Sequence, residues 1–118
     1  MFLKNSSPLL TFALLAFCAL LEVGGDAIVR LGLHTDAHSV LRRGLTLVIG
    51  ALVLFAYGLT VNAIRWDFGK LMGVYVAMFF IVAQAVAWVG FGEKPRAPIV
   101  VGGLFIIVGA GIIQWWRP

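Results

Sequence analysis

The chain has 118 residues, 62% hydrophobic and 12% charged, with nine Lys and Arg against five Asp and Glu for a formal net charge of +4. Soluble domains are about half apolar and a quarter charged, so this composition excludes a water-soluble fold and leaves lipid as the solvent. The basic residues stand singly or in pairs and form no patch, which argues against a nucleic-acid partner.

A bilayer span takes about 20 mostly apolar residues. Four such runs can be cut from the chain, at 8–33, 44–64, 71–91 and 99–116. The predicted fold class is therefore all-α and integral to the membrane: one domain over 1–118, made of four transmembrane helices joined by short connections. Those connections are too short for a soluble domain, so any chemistry belongs inside the membrane or at its surfaces.

The first run begins after Lys4 and resembles a signal peptide. It continues through Glu22 to Leu33 without a small-residue cleavage site, and Phe17 is too bulky for lipidation at Cys18, so the segment is expected to be retained. Cys18 is the single cysteine and forms no spacing pattern with His34 or His38, so neither a disulfide nor a zinc site follows. Glu22 lies near the middle of the run, where an ionised carboxylate costs about 3 kcal/mol or more and should face a cavity or a partner. Such a group is suited to exchange a proton and to bind a cation once deprotonated. The alternative is a structural carboxyl group held neutral by a hydrogen bond between helices.

Asp26 is one turn beyond Glu22 and Arg30 one turn beyond that, so the three project from one face, a stripe that Thr11 and Cys18 extend. An Asp26–Arg30 ion pair would neutralise both charges, with Arg30 near enough to the helix end to snorkel; a second cation ligand at Asp26 is the other reading. Gly24 and Gly25 leave room beside the acid for a neighbouring helix or a substrate.

The connection over 34–43 ends in Arg42 and Arg43, and the second run closes with a weak polar group of Tyr57, Gly58, Thr60 and Asn62, where Asn62 has the character of a cap. Trp66 and Phe68 flank the next connection at interface depth. The third run carries Tyr75, Phe79 one turn further on a similar face, and Gln84; aromatic rings beside a carboxylate suit an organic cation. Pro95 and Pro98 are expected to stop the third helix and start the fourth. In the fourth, Gly102 and Gly109 are two turns apart on one face, which with Ile106 and Ile113 forms the expected contact to a second copy; packing within the monomer is the alternative.

Lys4, Arg65, Lys70 and Arg117 fall on the side of the termini and Arg42, Arg43, Lys94 and Arg96 on the other, four against four. Orientation follows an excess of Lys and Arg on the cytoplasmic side. Without an excess, and unless Arg30 tips the balance, insertion both ways and an antiparallel homodimer are expected.

These residues resemble the small multidrug resistance (SMR) superfamily and, within it, the YnfA-like branch, over nearly the whole chain. Ala19-Leu20-Leu21-Glu22-Val23-Gly24-Gly25 with Arg30 eight residues after the acid resembles that family's first-helix motif. Phe68-Gly69-Lys70 followed by Tyr75 is similar to the branch's start of helix three, and Gly102 to Gly109 to the family's glycine-faced dimer helix. The resemblance implies an antiparallel dimer in a bacterial inner membrane whose two Glu22 carboxylates share one site. Protons and a small hydrophobic or guanidinium-like cation would compete there, giving proton-coupled efflux by alternating access with Tyr75 lining the site. No cofactor is implied beyond the proton as coupling ion; the partners are a second copy, membrane lipids and the cationic substrate. The chain departs from the pattern at Val76-Ala77, where a glycine pair is typical, at Met72, in place of a polar aromatic, and at Asp26, a charge many relatives lack. Those departures leave room for a non-transporting membrane partner or a small lipid-related transporter. An enzyme is not expected, because Glu22, Asp26, His34 and His38 form no recognisable nucleophile or metal constellation.

Overall fold

The computed structural model of the protein describes residues 8–34 and 39–116; Lys4, His38 and Arg117 lie outside the described residues. Four α-helices follow in order: α1 (Pro8–His34), α2 (Val40–Asn62), α3 (Phe68–Phe91) and α4 (Ala97–Trp115). All four are long and apolar enough to cross a membrane, which makes the protein all-α and multi-pass. The 27 residues of α1 span about 40 Å at 1.5 Å per residue, more than the roughly 30 Å of hydrocarbon.

The helix ends differ from expectation for identifiable reasons. The second helix begins at Val40 and not at 44, because the Ser39 side chain accepts a hydrogen bond from the Arg42 backbone N–H at 3.3 Å and caps the first turn. That places Arg42 and Arg43 inside α2. Arg43 reaches back to the end of α1, its Nε donating to the Gly32 carbonyl at 3.0 Å and its Nη2 to the Leu33 carbonyl at 2.6 Å. A cation there satisfies carbonyls that the helix leaves unpaired and lies at the negative end of the helix dipole. The same helix stops at Asn62 and not at 64; the Asn62 amide folds back onto the Gly58 carbonyl at 2.8 Å, and Thr60 does the same to Ala56 at 2.7 Å. The third helix starts at Phe68 and not at 71, with the Leu71 N–H already bonded to the Asp67 carbonyl at 2.9 Å. It ends at Phe91, the expected last residue, but Gly92 and not Pro95 closes it: Gly92 adopts φ 68°, ψ 18°, and its own and Glu93's N–H groups bond back to Trp88 and Ala87. A left-handed residue at this position favours glycine because it has no Cβ to clash. Pro98 lies in the first turn of α4, where the missing N–H costs nothing, and that helix runs over 97–115 where 99–116 was expected.

The helices pack in the lateral order α2, α1, α3, α4, with α1 against both α2 and α3, and α4 held chiefly by α3. The closest approach is between α1 and α2. A Cβ on Gly25 would stand 3.3 Å from the Gly50 carbonyl oxygen, and one on Gly50 would stand 3.3 Å from the Gly25 carbonyl oxygen and 2.6 Å from a Val29 methyl. The two backbones therefore touch, as small residues permit between membrane helices. The buried core, Leu15, Cys18, Ala19, Val61, Ile64, Leu71, Val74 and Tyr75, occupies the half of the bundle nearer the start of α1. At that end Phe12 lies 6.5 Å from Trp66 and 6.4 Å from Trp115, ring centre to ring centre, and the Lys70 ammonium stands 4.8 Å from the Trp66 ring. At the opposite end Lys94 lies 5.9 Å from the Trp88 ring and Arg30 5.9 Å from that of Phe91.

Gly50→Ala is expected to lower stability by about 1–3 kcal/mol through overpacking of the α1–α2 crossing, read as a fall in melting temperature in detergent. Gly44→Ala is the control, since a Cβ there meets nothing within 4 Å. Equal melting temperatures for wild type and Gly50→Ala would contradict the crossing.

Candidate functional site

Glu22 lies on α1 midway between Pro8 and His34, three residues before the glycine crossing at Gly25. That crossing is antiparallel, so Tyr57, seven residues beyond Gly50 on α2, comes beside the stretch of α1 from Cys18 to Glu22. On the other side of α1, α3 delivers Tyr75, only 3% exposed, whose hydroxyl donates a 2.8 Å hydrogen bond to Glu22 Oε1. The rings of Tyr57 and Tyr75 stack at 5.7 Å with 25° between their planes, and the Tyr57 hydroxyl is near enough to Glu22 and Tyr75 to interact with both. Phe79, one turn along α3, completes a short aromatic column at 6.3 Å from Tyr75. Cys18, fully buried one turn below the acid, closes the site towards the core.

The chemistry of this arrangement is specific. In lipid the carboxyl group has no water to solvate it, and the tyrosine O–H supplies a donor; hydrogen bonds to a charged partner are worth about 1.5–3 kcal/mol. Aromatic rings from two helices thus surround a half-buried acid, a combination that suits an organic cation.

Glu22, Tyr75 and Phe79, read from the sequence as a site, are thus brought together. Asp26 and Arg30 are not paired: among the described residues neither forms an ion pair, and Arg30 lies over the Phe91 ring, so the expected Asp26–Arg30 bridge is corrected. Both line a cleft of about 290 Å³ between α1 and α3, together with Phe79, Phe91 and Glu93. Of the two glycines beside the acid, Gly25 receives α2 while Gly24 faces open space. Gln84 is turned to the α3–α4 groove, away from Glu22.

On α4 the expected dimer residues divide. A Cβ on Gly102 or Gly109 would meet nothing within 4 Å, so that face is open, and Ile106 is half-buried. Ile113, by contrast, reaches Gly73 of α3, with its Cδ1 2.6 Å from where a Cβ would stand, and Gly103 receives the Phe80 ring. The residue that sequence reasoning left out of the site is Tyr57, placed only in a weak polar group. In the structure Thr60 and Asn62 of that group bond to their own helix, while Tyr57 turns to Tyr75 and the acid. His34 is exposed at the end of α1, and among the described residues no three His, Cys, Asp or Glu side chains converge as metal ligands do.

A four-helix multi-pass membrane protein with one central acid held by a tyrosine is the class that this fold and site define. Its relatives agree with the class. Over 110 residues, 89% of this chain and 91% of the relative, it is 30% identical to a UPF0060 membrane protein of Kineococcus radiotolerans. It is 29% identical to one of Clostridium beijerinckii over 80% of this chain and 82% of the relative. A third, from Herpetosiphon aurantiacus, is 34% identical over 58% of this chain, a match spanning 64% of the relative's length. The chain belongs to the UPF0060 membrane protein family. No protein-family model matches it, and no solved structure does.

Tyr75→Phe is expected to shift the carbonyl stretch of the protonated Glu22 upwards in infrared difference spectra, because the carboxyl group loses a donor. The band is assigned by its disappearance in Glu22→Gln. An unmoved band in Tyr75→Phe would contradict the 2.8 Å contact.

Proposed function

We propose that the protein is a proton-coupled antiporter that exports small hydrophobic or guanidinium-like organic cations, as the resemblance to the SMR superfamily and its YnfA-like branch implies. The observation that carries this reading is Glu22 itself: an acid at mid-bilayer depth, half-buried, with one tyrosine hydroxyl on its oxygen and a second tyrosine beside it. A purely structural carboxyl group would be served as well by Gln, which offers the same hydrogen-bond acceptor without the cost of a charge in lipid.

In the deprotonated state the carboxylate attracts a cation, and the half-buried Tyr57 and Phe79 rings on either side of Tyr75 offer an aromatic wall to its apolar body. In the protonated state that attraction is gone and the cation leaves. Because proton and cation compete for one group, each drives the other out, and the two fluxes are coupled if the site is open to one side at a time. The functional unit of this proposal is an antiparallel homodimer in a bacterial inner membrane, with Glu22 from each copy facing a shared chamber. The open Gly102 and Gly109 face of α4 supports such a contact, and so does the near-even division of Lys and Arg between the two sides, four against five with Arg30 counted at the Lys94 end. Coupling needs no group beyond the acid and the proton.

The test is flux in proteoliposomes under an imposed pH gradient, with guanidinium and alkylammonium cations as probes. Proton movement is expected on addition of a transported cation, and Glu22→Gln is expected to abolish it. Tyr75→Phe is expected to retain flux at about a tenth of the wild-type rate, the loss of roughly 1.4 kcal/mol of interaction. Undiminished coupled flux in Glu22→Gln would remove the acid from the mechanism.

A further inference from the structure

The cleft between α1 and α3 holds charged groups that exchange at Glu22 leaves unused. From the end of the bundle inwards they are ordered by helix position. Glu93 lies just past the end of α3, Arg30 one turn before the end of α1, Asp26 a turn deeper, and Glu22 a turn deeper still. The inner wall of the cleft is Val23 and Phe79, and the Phe79 ring lies 6.3 Å from that of Tyr75, which holds Glu22. Phe79 thus touches both the cleft and the aromatic column that holds Glu22.

The charges in the cleft are arranged to stay apart. Among the described residues Asp26 has no hydrogen-bond or ion-pair partner, and Arg30, the nearest cation on its own helix, is drawn to the Phe91 ring at 5.9 Å. An uncompensated carboxylate about 12 Å inside the end of a transmembrane helix is tolerated where it faces a water-filled cavity. The cleft offers the volume, about 290 Å³, because the intervening positions are Ala27, Ala83 and Ala87. The lining itself holds two carboxylates against one guanidinium, while Lys94 and Arg43 at the same end lie over the Trp88 ring and on the carbonyls of α1, outside it.

We propose that this cleft is a hydrated vestibule by which a small cation reaches Glu22 from the end of the bundle holding the α1–α2 connection. Asp26 is the last carboxylate the cation meets outside the site, and Phe79 is the partition between vestibule and site. The destination rests on the reading of Glu22 given above; the hydration and charge preference of the cleft do not.

The experiment places a thiol in the cleft by Ala83→Cys in a Cys18→Ala background, in the full chain reconstituted in liposomes. Its rates of modification by a cationic and an anionic methanethiosulfonate of similar size are then compared. Ala87→Cys serves as the second position if the first variant fails to fold. The cationic reagent is expected to react about tenfold faster, as focusing of cations in a negatively lined cleft implies, and added Asp26→Asn is expected to bring the ratio close to one. In the same liposomes Asp26→Asn is expected to slow cation-driven proton release about tenfold without changing the amount released. No reaction with either reagent, equal rates for both signs, or a ratio and release rate untouched by Asp26→Asn would each overturn the proposal. A dry or non-selective cleft alongside flux that Glu22→Gln abolishes defeats the vestibule alone. Flux that persists in Glu22→Gln defeats the reading of the site instead.

Discussion

An acid at the middle of a bilayer must be met by a donor from another helix, and in this protein the Tyr75 hydroxyl meets Glu22 at 2.8 Å. The other contacts of the bundle serve that meeting. For Tyr75 to arrive, α3 must lie along α1, and the apolar layer of Leu15, Ala19, Leu71 and Val74 holds it there. For Tyr57 to stack on Tyr75, α2 must cross α1 closely, and only the backbone contact at Gly25 and Gly50 allows it. The site is therefore a product of two helix crossings that share α1, the most buried of the four spans.

The bundle is not equally dense along its length. Buried side chains gather in the half that contains Phe12, Trp66 and Trp115, while the other half is lined by alanines and opens into the cleft that holds Asp26, Arg30 and Glu93. Close packing on one side of Glu22 and open volume on the other give the acid a rigid support and an approach. The fourth helix stands outside this arrangement. It touches α3 through Gly73 and Gly103 but contributes no group to the acid, and most of its apolar surface is uncovered.

Much of this was legible in the sequence because lipid imposes a simple grammar. Runs of about 20 apolar residues are helices, since no other isolated element satisfies its backbone there. The ends were misplaced where charge was taken as a sign of a connection: Arg42 and Arg43 lie inside α2, one of them capping the preceding helix. Glu22 announced itself by its cost, and Tyr75 and Phe79 followed from helical spacing and family resemblance. Tyr57 did not, because its place depends on a crossing between residues 25 apart in the chain, Gly25 and Gly50, which no local pattern encodes. The Asp26–Arg30 pair failed for a related reason. The i, i+4 spacing makes such a pair available, but Phe91, supplied by a distant helix, offers the guanidinium a competing aromatic face.

The central claim is that a cation and a proton compete for Glu22. Calorimetric titration of the purified protein with a guanidinium or alkylammonium cation, in two buffers of different ionisation enthalpy, measures it directly. The account predicts proton release that accompanies cation binding in the wild type and disappears, with the binding itself, in Glu22→Gln. Cation binding that releases no protons, or that survives unchanged in that variant, would contradict it.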